Sequence, residues 1–504
     1  MKRLAVVASL VAMLMLPSLA MAKADLTIAT DAPPKSMNPH AYSSDANYSY
    51  MSNFFDGLLQ RPGADGKLAP ALATEWERID GLTWKFKLRK GVKFHNGNAF
   101  NADDVKFTFE RMKDPKYSRF LNMGNAIASI ETPDEYTVIF KTVKPVPWFA
   151  ETMAQMFIVD KESSIGREDG DYNTKPIGTG AYVFDEWVKG SYIRMHANPD
   201  YWEGAPKYKT VEIRPIVEEA TRFAALAGKQ VDLVNGVPIT LYDRISKMPA
   251  IETISRPARR CIFLQVSNKP GTPFADLRVR QALAHAINED EIIAKVMHGH
   301  AKKSAQIPDA PTIGYDESIK RYEYDPAKAK KLLAEAGYPE GFEITLAGPN
   351  DRYTNDAKIC EAIAKYLAKV GLKPSLDVKP KSIFFDETSE FKHPFYLIGW
   401  FDGSYDFGRT AEKNLHTWDK EKGMGAYNGA VYSNPEIDKL IIESSSILDH
   451  AEREKALQKI NRMAMEDVAF IPLHYQQDMY AVVKDKGIKF TPRPDRWIVL
   501  KEIQ

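Results

Sequence analysis

Cysteine is nearly absent: the chain has 2 in 504 residues, Cys261 and Cys360. That excludes a disulfide-dense scaffold and any tetracysteine zinc site. Charge of one sign is also lacking, since 68 Lys and Arg face 67 Asp and Glu, for a formal charge of +1. A broad grip on nucleic acid needs a basic face, so no nucleic-acid partner is expected. Past the N-terminus, no apolar run approaches the roughly 20 residues that span a bilayer. Gly and Pro, 29 and 31 of them, are scattered, which excludes collagen-like and low-complexity chains. What remains is ordinary globular composition, 44% hydrophobic and 27% charged. At about 150 residues per domain, the length predicts two or three domains.

Catalytic signatures are missing too. There is no HExxH, GxSxG, GxxxxGK[ST] or CxxC. Gly178-Thr-Gly180 lacks the third glycine of a dinucleotide loop and precedes an apparent strand over 181–184, so it reads as a turn. The 10 histidines are dispersed, and His298-Gly-His300 is the one close pair. With no third ligand nearby in sequence, the pair reads as polar side chains on a loop. No catalytic cysteine or serine arrangement is suggested, and no cofactor is expected.

The first residues form an address. Met1-Lys-Arg3 is basic, Leu4 to Leu16 carries no charge, and Ala20-Met-Ala22 is a small-x-small triplet. This is the three-part pattern of a secretory signal, residues 1–22, too short in its apolar part to be a membrane anchor. Removing Lys2 and Arg3 takes the formal charge from +1 to −1. No cysteine follows the apolar stretch to carry a lipid, so a soluble periplasmic protein is expected. Export permits a Cys261–Cys360 bridge; two buried thiols, one on a strand and one on a helix, are the alternative.

Strand and helix signals alternate along the rest. Asp25 to Thr30 and Thr83 to Leu88 alternate polar and apolar, and Trp84, Phe86 and Leu88 share one face. Asn101 is a helix N-cap ahead of Val105, Phe109 and Met112 at helical spacing. Asp325-Pro326 and Gly337 mark both ends of a helix over 326–336. Strand signals at 343–346 and 374–378 flank a helix carrying Ile359, Ile363, Leu367 and Val370 and closed by Gly371. That order is a βαβ unit and predicts a parallel sheet.

Six segments resemble the extracytoplasmic solute-binding proteins of peptide and nickel ABC importers, solute-binding protein family 5. They are Gly81-Leu-Thr-Trp-Lys-Phe-Lys-Leu-Arg-Lys-Gly-Val-Lys-Phe-His-Asn-Gly97 with the run Phe100–Arg111, then Lys175-Pro-Ile-Gly-Thr-Gly-Ala-Tyr182, Asn198-Pro-Asp-Tyr-Trp-Glu-Gly204, Phe274–Asn288, Tyr324–Gly337, and Tyr432–Asp438 with Ala469–His474. They occur in family order across the chain. The resemblance implies an α/β, two-lobed periplasmic binding protein, type II-like, of the large cluster with an extra subdomain in lobe one and a hinge between lobes. By matching segments, lobe one is 23–256 plus 483–504, the extra subdomain about 57–175, and lobe two 257–482. It further implies a peptide-like solute captured between the lobes, an inner-membrane ABC permease as partner, and a monomer that performs no catalysis.

Site residues follow from the resemblance. In dipeptide and oligopeptide binders, acidic residues after a Gly-Trp pair hold the ligand's amine. Here Gly399 and Trp400 match, Gly403 stands at the usual Asp position, and Asp402 and Asp406 flank it. In dipeptide binders an Arg two residues before a Tyr clasps the ligand's carboxylate; here Asp351 holds that place and Arg352 directly precedes Tyr353, so Arg352 and Tyr353 are the candidates. Trp400 either stacks on the ligand or underpins its loop. Ser36, Met37 and Tyr48 border the cleft by the same comparison, whereas Trp84 and Trp202 read as core. Rival expectations are a nickel chelate, haem, opine or oligosaccharide in the same fold, a secreted hydrolase, and a sensory or chaperone-like role.

Overall fold

Two long strands, Ile251–Val266 and Phe470–Val483, run antiparallel through the middle of the molecule. The computed structural model describes residues 24–165 and 173–504, so the expected signal segment lies outside the described residues. Residues 251–257 pair with 477–483, and 261–265 pair with 470–475. Between those stretches, from Pro257 to Cys261, the register shifts. Proline has no N–H to give the ladder, so a bulge belongs there.

Each half of this strand pair carries its own parallel strands. Beyond Phe470–Val483 come Leu233–Asn235, Leu26–Thr30 and Thr210–Pro215, mutually parallel, then the antiparallel hairpin Tyr182–Val188 and Tyr192–Ala197. Beyond Ile251–Val266 come Phe395–Trp400, Glu343–Pro349 and Lys373–Lys379, also mutually parallel. The expected βαβ unit is present: Glu343 pairs with Lys373 through to Pro349 with Lys379. Its helix, Asp356–Lys369, buries Ile359, Cys360, Ile363, Tyr366 and Leu367, one stripe at helical spacing. Gly371 follows with φ 95, a left-handed closure that favours glycine.

A separate four-stranded antiparallel sheet contains Ala73–Arg78, Thr83–Leu88, Thr137–Thr142 and Ile127–Asp134. Trp84, Phe86 and Leu88 are buried on one face of it, as their alternation predicts. The helix Ala102–Arg111 covers that face and starts at a capping box in which Asn101 and Asp104 satisfy each other's backbone N–H groups; such a cap is worth about 1 kcal/mol. Phe109, Phe140 and Phe149 meet there edge to face. Trp202 is half-buried and donates its indole N–H to Asp56 Oδ2 at 3.0 Å, a packing role.

Three apolar cores result. One fills the half holding 261–483 and takes in Ala29 and side chains of 225–251 from the other half, one joins 26–55, 157–159, 181–213 and 482–503, and one underlies the four-stranded sheet. Cys261 and Cys360 are free and buried, one on a strand and one on a helix as the alternative to a bridge has it, and burial pushes both thiols up to about 12. No helix among the described residues is long and apolar enough to cross a membrane.

Candidate ligand-binding site

Parallel strands in both halves end at one place. Thr30 and Asp31 close the first strand, Asn235 and Gly236 the strand from Leu233, and Val217 lies just past Thr210–Pro215. From the other half, Asp351 to Asn355 follow Glu343–Pro349, and Trp400 and Phe401 end Phe395–Trp400. Between them is a cleft of about 1080 Å³, floored by Arg260 and by Gln476 to Met479 of the long strands. Carboxyl ends of parallel strands are where open α/β sheets bind ligands, since their loops are free to diverge.

Arg352 and Tyr353 stand where the sequence indicates, on this wall. Asp356, the first residue of the following helix, accepts from both of their backbone N–H groups at 2.9 Å through Oδ2. Asn355 adopts the left-handed region, φ 56, and its Nδ2 donates to Val296 O at 2.8 Å. The loop is thereby fixed and holds Arg352 outward. The Arg352 guanidinium is exposed and makes no ion pair among the described residues; its nearest aromatic is the Tyr353 ring at 5.5 Å. Tyr353 is buried and donates Oη–H to Gly399 O at 3.1 Å, and burial raises its phenol pKa. A Cβ on Gly399 would lie 2.7 Å from the Tyr353 ring, so glycine permits this approach. Trp400 also lines the cleft. Its Nε1–H goes to Thr410 Oγ1 at 3.0 Å, and its ring packs against Tyr427 at 5.2 Å between centroids.

Five expected residues lie elsewhere, and each has a physical reason. Asp402 is turned into its own loop: Oδ1 accepts from the Ser404 N–H at 2.8 Å and Oδ2 sits 3.5 Å from Arg409. Asp406 is buried, caps the helix Phe407–Asn414 and pairs with Arg453 at 3.0 and 2.9 Å. Ser36 is buried, accepting from the Asn38 N–H and donating to Asn173 Oδ1. Met37 is wholly buried in the core. Tyr48 is buried and stacks on Trp497 at 5.4 Å. The cleft border in that region is formed instead by 31–32, 43–46, Ser49 and Tyr50.

Charged groups that sequence reasoning missed crowd the floor. Arg260 donates to Asp45 Oδ2 at 3.0 Å; burial lowers its pKa, Asp45 opposes that, and Arg352 and Arg496 add to it. Arg496 Nε lies 2.8 Å from Asp478 Oδ1, and Nη2 donates to Asp31 Oδ2 at 3.3 Å. The Asp478 charge raises the Arg496 pKa above its ordinary value despite burial. Asn235 holds Asp31 by accepting its backbone N–H at 2.9 Å. His300 reaches the wall beside Tyr242, with Nε2 3.4 Å from Asp243 Oδ1. Neither His298 nor His300 joins a metal-holding group among the described residues.

The cleft contains cations, carboxylates and aromatic faces, an arrangement suited to holding a small charged solute. The family described as bacterial extracellular solute-binding proteins, family 5 Middle matches residues 67–421. Among curated proteins, the glutathione-binding protein GsiB of Escherichia coli K12 is 28% identical over 92% of this chain and 91% of its own length. The di/tripeptide-binding protein 1 of Pseudomonas aeruginosa is 30% identical over 92% and 91%. Among solved structures, the periplasmic binding protein DppA of Helicobacter pylori, in complex with the peptide STSA, superposes with TM-score 0.75 at 29% identity over 92% of this chain and 94% of that one. HbpA2 of Haemophilus parasuis gives 0.84 at 24% identity over 95% and 99%, a likeness of fold. Two parallel-stranded halves joined by a long strand pair, with an added antiparallel sheet, are the two-lobed binding-protein architecture, and this chain belongs to the bacterial extracellular solute-binding proteins, family 5.

Proposed function

We propose that the protein is the extracytoplasmic capture component of an ABC importer, taking a small peptide-like solute with a free carboxylate into the cleft and delivering it, unconverted, to an inner-membrane permease. The observation that carries this reading is Arg352, a guanidinium without an ion-pair partner among the described residues, at the wall of a two-sided cleft. Closing the cleft around it strips water from the cation, which is costly unless a carboxylate arrives with bidentate hydrogen bonds. A ligand that touches both walls binds the closed form better than the open one. Its differential affinity, and nothing else, shifts the balance toward closure.

The lobes divide at the long strand pair. The register break at 257–261 supports a crossing at the expected 256/257. The pairing of 251–257 with 477–483 supports a return crossing near 475–477 rather than at 482/483. The bulge is then the hinge, and the four-stranded sheet is the extra subdomain of lobe one. The monomer works in the periplasm after loss of its first 22 residues.

One observation favours a second reading. The two acidic residues at the family's amine-holding segment are committed to Arg409 and to Arg453. A carboxylate solute without a peptide's ammonium then fits the same transport role. Native mass spectrometry of protein purified without refolding separates the two. A passenger with peptide masses supports the first reading, and a non-peptide acid supports the second. Reproducible product formation with no ligand-dependent change in small-angle scattering would remove both.

A further inference from the structure

Capture of a peptide-like solute gives its carboxylate a partner in Arg352 and leaves its cation unassigned. Across the cleft from Arg352, three carboxylates meet two guanidiniums. Asp45 spends Oδ2 on Arg260, its side chain is 34% exposed, and Oδ1 takes no hydrogen bond among the described residues. Asp31 holds Arg496 at 3.3 Å and is also 34% exposed. Asp478, deeper and 7% exposed, has Arg496 at 2.8 Å from Oδ1 and no hydrogen-bond partner on Oδ2. Arg222, which faces Asp31, and Glu219 line the same wall, so four carboxylates in all meet three guanidiniums and one negative charge is left uncompensated.

A second sign comes from a side chain that is not acidic. Gln476, 6% exposed and two residues before Asp478 on the same strand, lines the cleft with its Nε2 unpartnered. Buried polar atoms are nearly always hydrogen-bonded, so Gln476 Nε2 and Asp478 Oδ2 ask for a polar group from the cleft side. The neighbouring charges act as a group: Asp45 and Asp31 both raise the Asp478 carboxyl, after burial, while Arg496 and Arg260 lower it. One excess negative charge faces one uncompensated positive charge.

We propose that the ligand is a zwitterion whose ammonium rests against Asp45 and Asp31 of lobe one while its carboxylate rests on Arg352 of lobe two. The assignment depends on the peptide-capture reading above and replaces Asp402 and Asp406 as amine receptors. It also supplies a reason to close. Each end of the ligand finds its counter-charge on a different lobe, so only the closed form satisfies both.

Titration calorimetry with trialanine, N-acetyl-trialanine and trialanine amide tests it. Wild-type protein should bind trialanine and lose at least about tenfold with either blocked end. In the Asp31→Asn, Asp45→Asn double variant, trialanine and its N-acetyl form should bind within about twofold of each other, while the amide penalty persists. Arg352→Gln should do the reverse, erasing the amide penalty and keeping the acetyl one. Asp402→Asn should keep both. Wild-type protein indifferent to acetylation, or a full acetyl penalty in the double variant, overturns the assignment while peptide capture stands. Failure of all three probes to bind the wild type defeats peptide capture and the zwitterion with it. Asp45→Asn leaves Arg260, 12% exposed, without its ion-pair partner, so the double variant should melt below the wild type while Arg352→Gln melts close to it; the acetyl and amide penalties are therefore read as ratios within each folded variant, below its own melting temperature.

Discussion

The segment after Trp400 and the wall around Asp31 and Asp45 each offer carboxylates, and the two sets do opposite things. Asp402 and Asp406 are saturated. The Ser404 N–H and Arg409 occupy the first, while the Gly408 N–H and both arms of Arg453 occupy the second. Asp31 gives Oδ2 to Arg496 and Oδ1 to the Asn235 amide at 3.2 Å, Asp45 gives Oδ2 to Arg260, and both keep a third of the side chain open to the cleft. What separates a structural from a ligand-facing carboxylate here is therefore its reach to the cleft: the Asp402 and Asp406 side chains are 9% and 7% exposed, against 34% for Asp31 and Asp45. A buried carboxylate with every lone pair used has nothing left to recognise a ligand with.

Removing one member of each set should give effects that differ in kind. Asp406→Ala leaves Arg453, 4% exposed, buried without its counter-charge and removes the cap of the helix Phe407–Asn414. Stripping one partner from a buried pair costs about 3–5 kcal/mol, so thermal or denaturant unfolding should show the largest loss of any change considered. Arg352→Ala should do the reverse. Its guanidinium holds no hydrogen-bond or ion-pair partner among the described residues, so melting of the free protein should stay close to wild type. Calorimetry should show affinity for a carboxylate ligand falling by about 10- to 100-fold, as for a lost charge-assisted hydrogen bond. Equal melting losses in the two variants would break the contrast.

A third kind of carboxylate, Asp104, sharpens the same point. It has backbone donors, from Asn101 and Lys161, and no arginine. Burial raises its pKa to about 6, with Glu162 and Asp160 adding to the shift. The folded state thus holds this proton more tightly than the unfolded chain does. Its stabilising contribution is complete below about pH 4, the ordinary Asp range, and is lost as pH rises through about 6. Asp104→Asn should flatten that fall by on the order of 2 kcal/mol between the two pH values, read from urea midpoints. An unchanged slope would show that its backbone donors outweigh its burial.

Most elements were legible because their signals are local. The cap at Asn101, the alternation over 83–88 and the βαβ unit at 343–378 each lie within a short stretch of chain. Arg352, Tyr353 and Trp400 were legible as cleft residues because two loops follow recognisable strands. The floor was not, since Asp31, Asp45, Arg260, Asp478 and Arg496 come from separate segments that only the sheet order brings together. A trace existed nonetheless. Gln476-Gln477-Asp478 interrupts the apolar strand Phe470–Val483, and Arg259-Arg260 interrupts its partner, where polar residues have no local reason to be. The loop at 36–37 misled because it is polar in sequence yet folds inward against Asn173.

The mildest change tests the comparison from the other side, by putting an acid at the position where related binders carry one. Gly403 does not line the cleft. A Cβ there would lie 2.2 Å from the Gln155 side-chain amide, across the contact between the Gly-Trp loop and the four-stranded-sheet region. Gln155 is a flexible side chain and can withdraw, so Gly403→Asp should cost only about 1 kcal/mol of stability, at the low end for overpacking. Were sequence position enough to make an amine receptor, the new carboxylate would tighten binding of free-amine peptides over N-acetylated ones. With the local partners deciding, it should leave that ratio within about twofold of wild type, because the added charge faces Gln155 and not the ligand. Calorimetry of Gly403→Asp with trialanine and N-acetyl-trialanine decides between the two, and a clear gain in amine selectivity would return the Gly-Trp loop to the binding surface.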